Sequence, residues 1–208
     1  MKGTTHAILG GVGGLVVSQA LLTDPTQATI LIGIGCVAGL VPDMDIDGKL
    51  SNRITFSHKL VRTIVQLIGC FLVFQGLFFE AKDEQIISVL IGISLFVLST
   101  FIKQRHMLTV TGIGVFVAGA SIEELWLTLL GIYILIASVV SHRSYTHSLI
   151  GLLYFAFIAY YLEEAYKIDG IFWTCMLGYS SHLIADMKLL PLNKRGVKLF
   201  LPFSKREI

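Results

Sequence analysis

Leu125–Val140 reads LWLTLLGIYILIASVV, Ser141–Ser148 reads SHRSYTHS, and Leu149–Leu162 reads LIGLLYFAFIAYYL. Two apolar runs flank eight residues that hold two histidines, an arginine and several hydroxyls. The runs show no period-2 alternation and are long for strands, so they read as helices. A helix needs about 20 residues, mostly apolar, to cross a hydrocarbon core of about 30 Å. The stretch therefore reads as two membrane helices joined by a polar knot. So many polar groups between two such runs mark a site rather than a spacer.

The same alternation continues in both directions. Apolar runs cover 7–22, 28–41, 60–79, 86–102, 107–120, 125–141, 148–163 and 170–187, with 28–41 and 107–120 short for a crossing. The 208 residues are 54% hydrophobic and 14% charged, against roughly 25% charged in soluble chains. The expected fold is all-α: a polytopic transmembrane helical bundle with about eight membrane-embedded helices, forming one domain over 1–208. Twenty glycines suit helices that pack closely in lipid. A net charge of +2, well dispersed, speaks against a nucleic-acid partner. Met1–Gly14 lacks the pattern of a signal peptide and is expected to stay as the first helix. Cys36, Cys70 and Cys175 lie in apolar runs without CxxC spacing, which predicts buried free thiols.

Charge sets the orientation. With the N-terminus placed inside and sides alternating, fourteen of the sixteen basic residues fall on the inner side, leaving Lys82 and Lys167 outside. The outer loops carry Asp24, Glu84, Glu123, Glu124, Glu163, Glu164 and Asp169, among other acids. This bias predicts both termini in the cytoplasm. It also sends all six histidines, together with Asp43, Asp45, Asp47 and Asp186, to the cytoplasmic end.

Those groups suit cation chemistry. His182 and Asp186 are four apart, so one helix face presents both. Such a pair can offer a nitrogen and an oxygen to one ion. Asp43, Asp45 and Asp47 crowd a turn after Pro42, and close carboxylates repel unless a cation or protons intervene. An EF-hand is excluded, because Ile54 stands where its bidentate acid belongs. His142 and His147 can converge if His142 lies in the loop and His147 opens the next helix, with Ser144 or Thr146 as cap. Arg143 suits a phosphoryl or carboxylate group, which its guanidinium can bind through two parallel hydrogen bonds. His6 and His58 complete the candidates, and His106 is the weakest histidine. Taken singly, each has a bland role as a structural histidine, a solvated acid or a basic anchor. Their gathering at one end favours a site.

In order, Thr5-His6-Ala7, Gly39–Asp45, His142–Ser148, Gly178–Asp186 and Gly196–Phe203 resemble the YdjM-like membrane-bound, metal-dependent hydrolases, described as a LexA-regulated group in some bacteria. Lys188–Lys194 stands where that family usually has a threonine-proline segment. The order His6, Asp45, His58, His142, His147, His182, Asp186 is also similar to the ligand order of zinc-dependent phospholipase C and P1-type nucleases. Those enzymes are all-helical and act on phosphodiesters; here Thr146 stands where their HxxxD would place an acid.

The resulting expectation is a metal-dependent hydrolase in the bacterial cytoplasmic membrane. His6, Asp43, Asp45, His58, His142, His147, His182 and Asp186 are the candidate ligands for zinc or manganese. Asp45, His147 and Arg143 are the candidate catalytic groups. A phosphoester or lipid-like substrate at the inner membrane face is expected, with membrane lipid as partner. The alternatives are an ion or small-solute transporter using the same histidines and aspartates, and a non-enzymatic scaffold with a structural metal.

Overall fold

Prolines, glycines and acidic caps cut the apolar sequence into eight α-helices and two short 3-10 turns, with no strand among the described residues. The computed structural model describes residues 3–45, 55, 57–79, 81–141, 144–188 and 196–208. The helices are α1 (Gly3–Ala20), α2 (Pro25–Ala38), α3 (His58–Phe79), α4 (Lys82–Ser99), α5 (Gln104–Ser121), α6 (Leu125–Ala137), α7 (Leu149–Tyr166) and α8 (Ile171–Ala185). The 3-10 turns are Val41–Met44 and Tyr145–His147.

The all-α expectation holds, and the number of crossings is corrected. Among the described residues α3 and α7 are long and apolar enough to span a membrane. Glu84–Ser99 with Gln104–Ser121 passes the same test when the pair counts as one span, giving up to three rather than eight. The physical reason is length and polarity. α2 and α6 have 14 and 13 residues, roughly 20 Å at 1.5 Å per residue. α1 and α8 are diluted by residues such as Thr4, His6, Thr174 and Ser181.

The chain divides into two compact units, Met1–Arg53 with Leu108–Ile208, and Ile54–Met107. In the first, α1 packs on α2 and α8, α2 on α8, and α7 on α6 and α8. The turn Val41–Met44 rests on α8, the turn Tyr145–His147 rests on α7, and the two turns touch. Short loops make α1/α2 and α7/α8 antiparallel hairpins. The N-terminal ends of α1 and α7 therefore share one pole with the C-terminal ends of α2 and α8. At the opposite pole, Asp24 accepts from the backbone N–H groups of Thr26 and Gln27, and Glu163 accepts from Phe172 N at 2.7 Å. Acids are favoured there because helix N-termini carry positive partial charge.

Three helices meet almost backbone to backbone. A Cβ added at Gly10 would run into the Gly35 carbonyl, and one at Gly39 into the carbonyl of His6. A Cβ on Gly178 of α8 would lie 2.9 Å from both the Ala38 Cβ and the Gly35 oxygen. This is small-residue packing, in which absent side chains let backbones approach. In the second unit, α3 and α4 pair the same way across Gly69 and Gly92. The thiols are free, but of the three expected to be buried only Cys175 is fully so. Cys36 is partly buried and Cys70 exposed. Cys70 lies on α3, a helix with broad exposed apolar surface.

Gly33 differs from Gly10, because a Cβ added there would meet nothing within 4 Å among the described residues. In detergent-solubilised protein, Gly10→Val should lower unfolding free energy by about 2 kcal/mol through overpacking. Gly33→Ala should raise it by roughly 0.5–1 kcal/mol, because alanine restricts the unfolded chain. Denaturant titration reads both, and effects of equal sign would contradict the packing described.

Candidate metal centre

The shared pole gathers groups from far apart in the sequence. His6 lies in the first turn of α1, Asp43 in the turn after α2, His147 in the turn before α7, and His182 and Asp186 at the end of α8. His6, His147, His182 and Asp186 are at most 2% exposed. The His147 and His182 Nε2 atoms stand 3.2 Å apart. Asp43 Oδ1 is 3.6 Å from His147 Nε2 and 3.7 Å from His182 Nε2. Asp186 Oδ2 lies 3.9 and 3.8 Å from the same two nitrogens, and its Oδ1 is 3.4 Å from His6 Nε2.

The far sides of the rings fix which nitrogen faces inward. His182 Nδ1 lies 2.7 Å from the Gly39 carbonyl oxygen. That oxygen only accepts, so Nδ1 carries the proton and the neutral ring turns a lone pair inward at Nε2. Thr146 Oγ1 donates to Asp45 Oδ2 at 3.1 Å, and His147 Nδ1 lies 3.1 Å from the same hydroxyl. With the hydroxyl proton directed at Asp45, Oγ1 accepts from His147 Nδ1–H. His147 Nε2 then also presents a lone pair to the centre. Two lone pairs 3.2 Å apart, with two carboxylates beside them, repel one another unless a positive charge stands between.

These residues fit a cation. Ligands held about 2.1 Å from one centre stand about 3–4 Å from each other, the range seen here. Among the described residues, His6, Asp43 and His182 form one group able to hold a metal ion, and His147, His182 and Asp186 another. His182 belongs to both. Burial, with His147 beside it, pushes the His182 imidazole down to about 4, which keeps that ring neutral.

The candidate set is thereby sorted. His6, Asp43, His147, His182 and Asp186 converge. Asp45 is fully buried, but it sits on the outer side of His147, 3.7 Å from Nδ1. It acts on that ring through the Thr146 hydroxyl, which bridges the two at 3.1 Å each. His58 belongs to the other unit, where its Nδ1 lies 2.7 Å from Gln104 Oε1. His142, Arg143 and Asp47 lie outside the described residues. The helix-capping expectation is corrected, since Ser148, not Ser144 or Thr146, caps α7 by accepting from Gly151 N. Thr146 is committed to Asp45 and His147 instead.

Sequence reasoning missed three supports. The Gly39 carbonyl and the Thr146 hydroxyl hold the two rings. Tyr179, buried one turn before His182, donates to the Thr146 carbonyl and pairs with Tyr133 Oη at 3.1 Å. The spacing Tyr179-x-x-His182 was a readable signal, because residues three apart share a helix face.

An all-helical chain rich in exposed apolar side chains, with buried imidazoles and carboxylates gathered at one pole, defines a membrane protein with a candidate metal centre. A match to the family described as YdjM inner membrane protein runs over residues 1–208, so the chain belongs to that family and is a cell-membrane protein. No curated protein and no solved structure matches the chain.

Zinc titration against a fluorescent chelator tests the centre. Wild-type protein should retain the ion, and His182→Ala should lose it. Thr146→Val should bind about 10–100-fold more weakly, as expected when a group orienting a ligand is removed. Unchanged affinity in Thr146→Val would separate that hydroxyl from the centre.

Proposed function

We propose that this protein is a membrane-embedded, metal-dependent hydrolase acting on a phosphoester or lipid-like substrate at the cytoplasmic membrane face. The observation that supports it most is the 3.2 Å approach of two imidazole Nε2 atoms whose Nδ1 atoms face acceptors, with two carboxylates alongside. Mixed nitrogen and oxygen donors suit zinc or manganese. A divalent ion bound there supplies acidity, lowering the pKa of water toward ~7 so that a nucleophile is available near neutral pH.

The chain's own residues do the rest. His6, His147, His182, Asp43 and Asp186 provide the donor set, while Asp45 and Thr146 hold His147 in the tautomer that faces inward. The Asp43 side chain is 17% exposed, against 3% or less for the other four, so access to the cluster runs past Asp43. Arg143 immediately precedes the Ser144–Ser148 segment and is assigned the substrate's anionic group, where its fixed charge offsets charge developing in the transition state. Lys188, Lys198, Lys205 and Arg206 follow α8 on the segment that meets the start of α7 at this pole, and a basic end favours the cytoplasmic side.

Purified protein in mixed micelles should release phosphate or headgroup from phospholipid only with zinc or manganese present, and His182→Ala should reduce release to background. Arg143→Ala should keep its metal and lose about 10²–10³-fold in kcat. Full activity in His182→Ala would refute the reading. Ion flux in liposomes without hydrolysis would assign a transporter instead, and a metal-loaded protein inert in both assays a scaffold.

A further inference from the structure

An apolar groove lies directly beside the metal-competent cluster. Tyr133, Ile136 and Val140 form one wall, and Ile150 and Tyr154 the other. Thr146 and Gly151 lie at its buried side, and Tyr145, 41% exposed, completes the lining. The cavity is about 300 Å³, room for on the order of ten methylene groups, each close to the ~30 Å³ of a liquid water.

Two features of the groove select its occupant. First, its polar atoms face elsewhere. Tyr154 Oη donates to the Leu129 carbonyl at 3.1 Å, and Tyr133 Oη pairs with Tyr179 Oη. What remains toward the cavity is ring and aliphatic surface, which offers a polar ligand no partner and an alkyl chain full burial. Second, the groove adjoins the cluster through one residue. Thr146 lines the groove's buried side, and the hydroxyl of the same residue touches Asp45 Oδ2 and His147 Nδ1 at 3.1 Å each. At its open side, Ile136 and Ile150 are each 42% exposed, beside Val139 and Leu153 at 76% and 62%. In a cell-membrane protein such a surface meets lipid.

We infer that this groove holds one acyl chain of a membrane lipid, with the chain's polar end toward the pole that carries the cluster. The inference rests on the hydrolase reading for its chemistry, and it adds the substrate class: a phospholipid gripped by its chain, not a soluble phosphoester.

Photolabelling of the full chain tests this without depending on turnover. The probe is phosphatidic acid with a mid-chain diazirine, at low fraction in phosphatidylcholine vesicles. Label should concentrate on Ile136, Val140 and Ile150 and be displaced by unlabelled phosphatidic acid. Val139 and Leu153, on the same stretches and more exposed, serve as the bulk-lipid reference. Ile136→Trp/Ile150→Trp should cut groove labelling about tenfold, the equivalent of losing roughly two buried methylenes, with zinc content unchanged as the check on folding. Labelling of the groove at or below the level of Val139 and Leu153 overturns the inference and leaves the hydrolase reading standing. Concentrated labelling in a protein that shows no metal-dependent phosphate release supports the chain site and removes the hydrolase reading instead.

Discussion

Everything at the cluster depends on how closely α1 and α2 approach. His6 reaches His182 because no side chain separates its own carbonyl from Gly39. The carbonyl of that same Gly39 then accepts from His182 Nδ1. One glycine thus sets both the spacing of two helices and the tautomer of a histidine on a third. The rings of His6 and His182 stack at 3.8 Å between centroids, a separation that a wider interface would not allow. Since lipid tails are as apolar as leucine, close backbone packing is what holds such helices together in a bilayer. Fold and site therefore draw on the same contact.

The second constraint is electrostatic. Buried carboxylates and imidazoles are expensive away from water unless they are paired or coordinated. Asp45, His147, His182 and Asp186 are nonetheless almost fully covered. The outward-facing nitrogens and oxygens are handled locally, by Gly39, Thr146 and Asp45, while the inward-facing ones point at each other. Repulsion is concentrated in that second set. The division between satisfied outer atoms and crowded inner donors supports a cation site over an ordinary buried polar network. His6 is the exception, since its Nδ1 is buried with no hydrogen-bond partner among the described residues.

Much of this was legible in the residues. The four-residue spacing of His182 and Asp186, and the placing of polar groups where apolar runs end, forecast the pole at which they meet. Alternating helices carry run ends to alternate poles, so the pattern needs no tertiary detail. The role of Asp45 was not legible, because Asp43-x-Asp45 offers two equivalent acids, and only the 3-10 turn sends one inward and the other behind His147. Backbone acceptors such as the Gly39 carbonyl leave no mark on side-chain identity. Apolar composition overcounts the crossings, because it does not register where a helix stops. Pro42, Gly39 and the segment after Ala137 stop their helices before a bilayer's thickness is reached. His58 shared the character of the other histidines, and its Gln104 partner lies too far along the chain to be anticipated.

The convergence of residues from both ends of the sequence also governs biogenesis. A chain inserted from its N-terminus carries His6 and Asp43 long before His147, and completes the set only when α8 and Asp186 have been made. Until then Gly39 has no imidazole to orient, and the early pair has no orienting hydrogen bonds from the late helices. A cation held by the whole set would therefore find its complete donor set only after the last hairpin has docked.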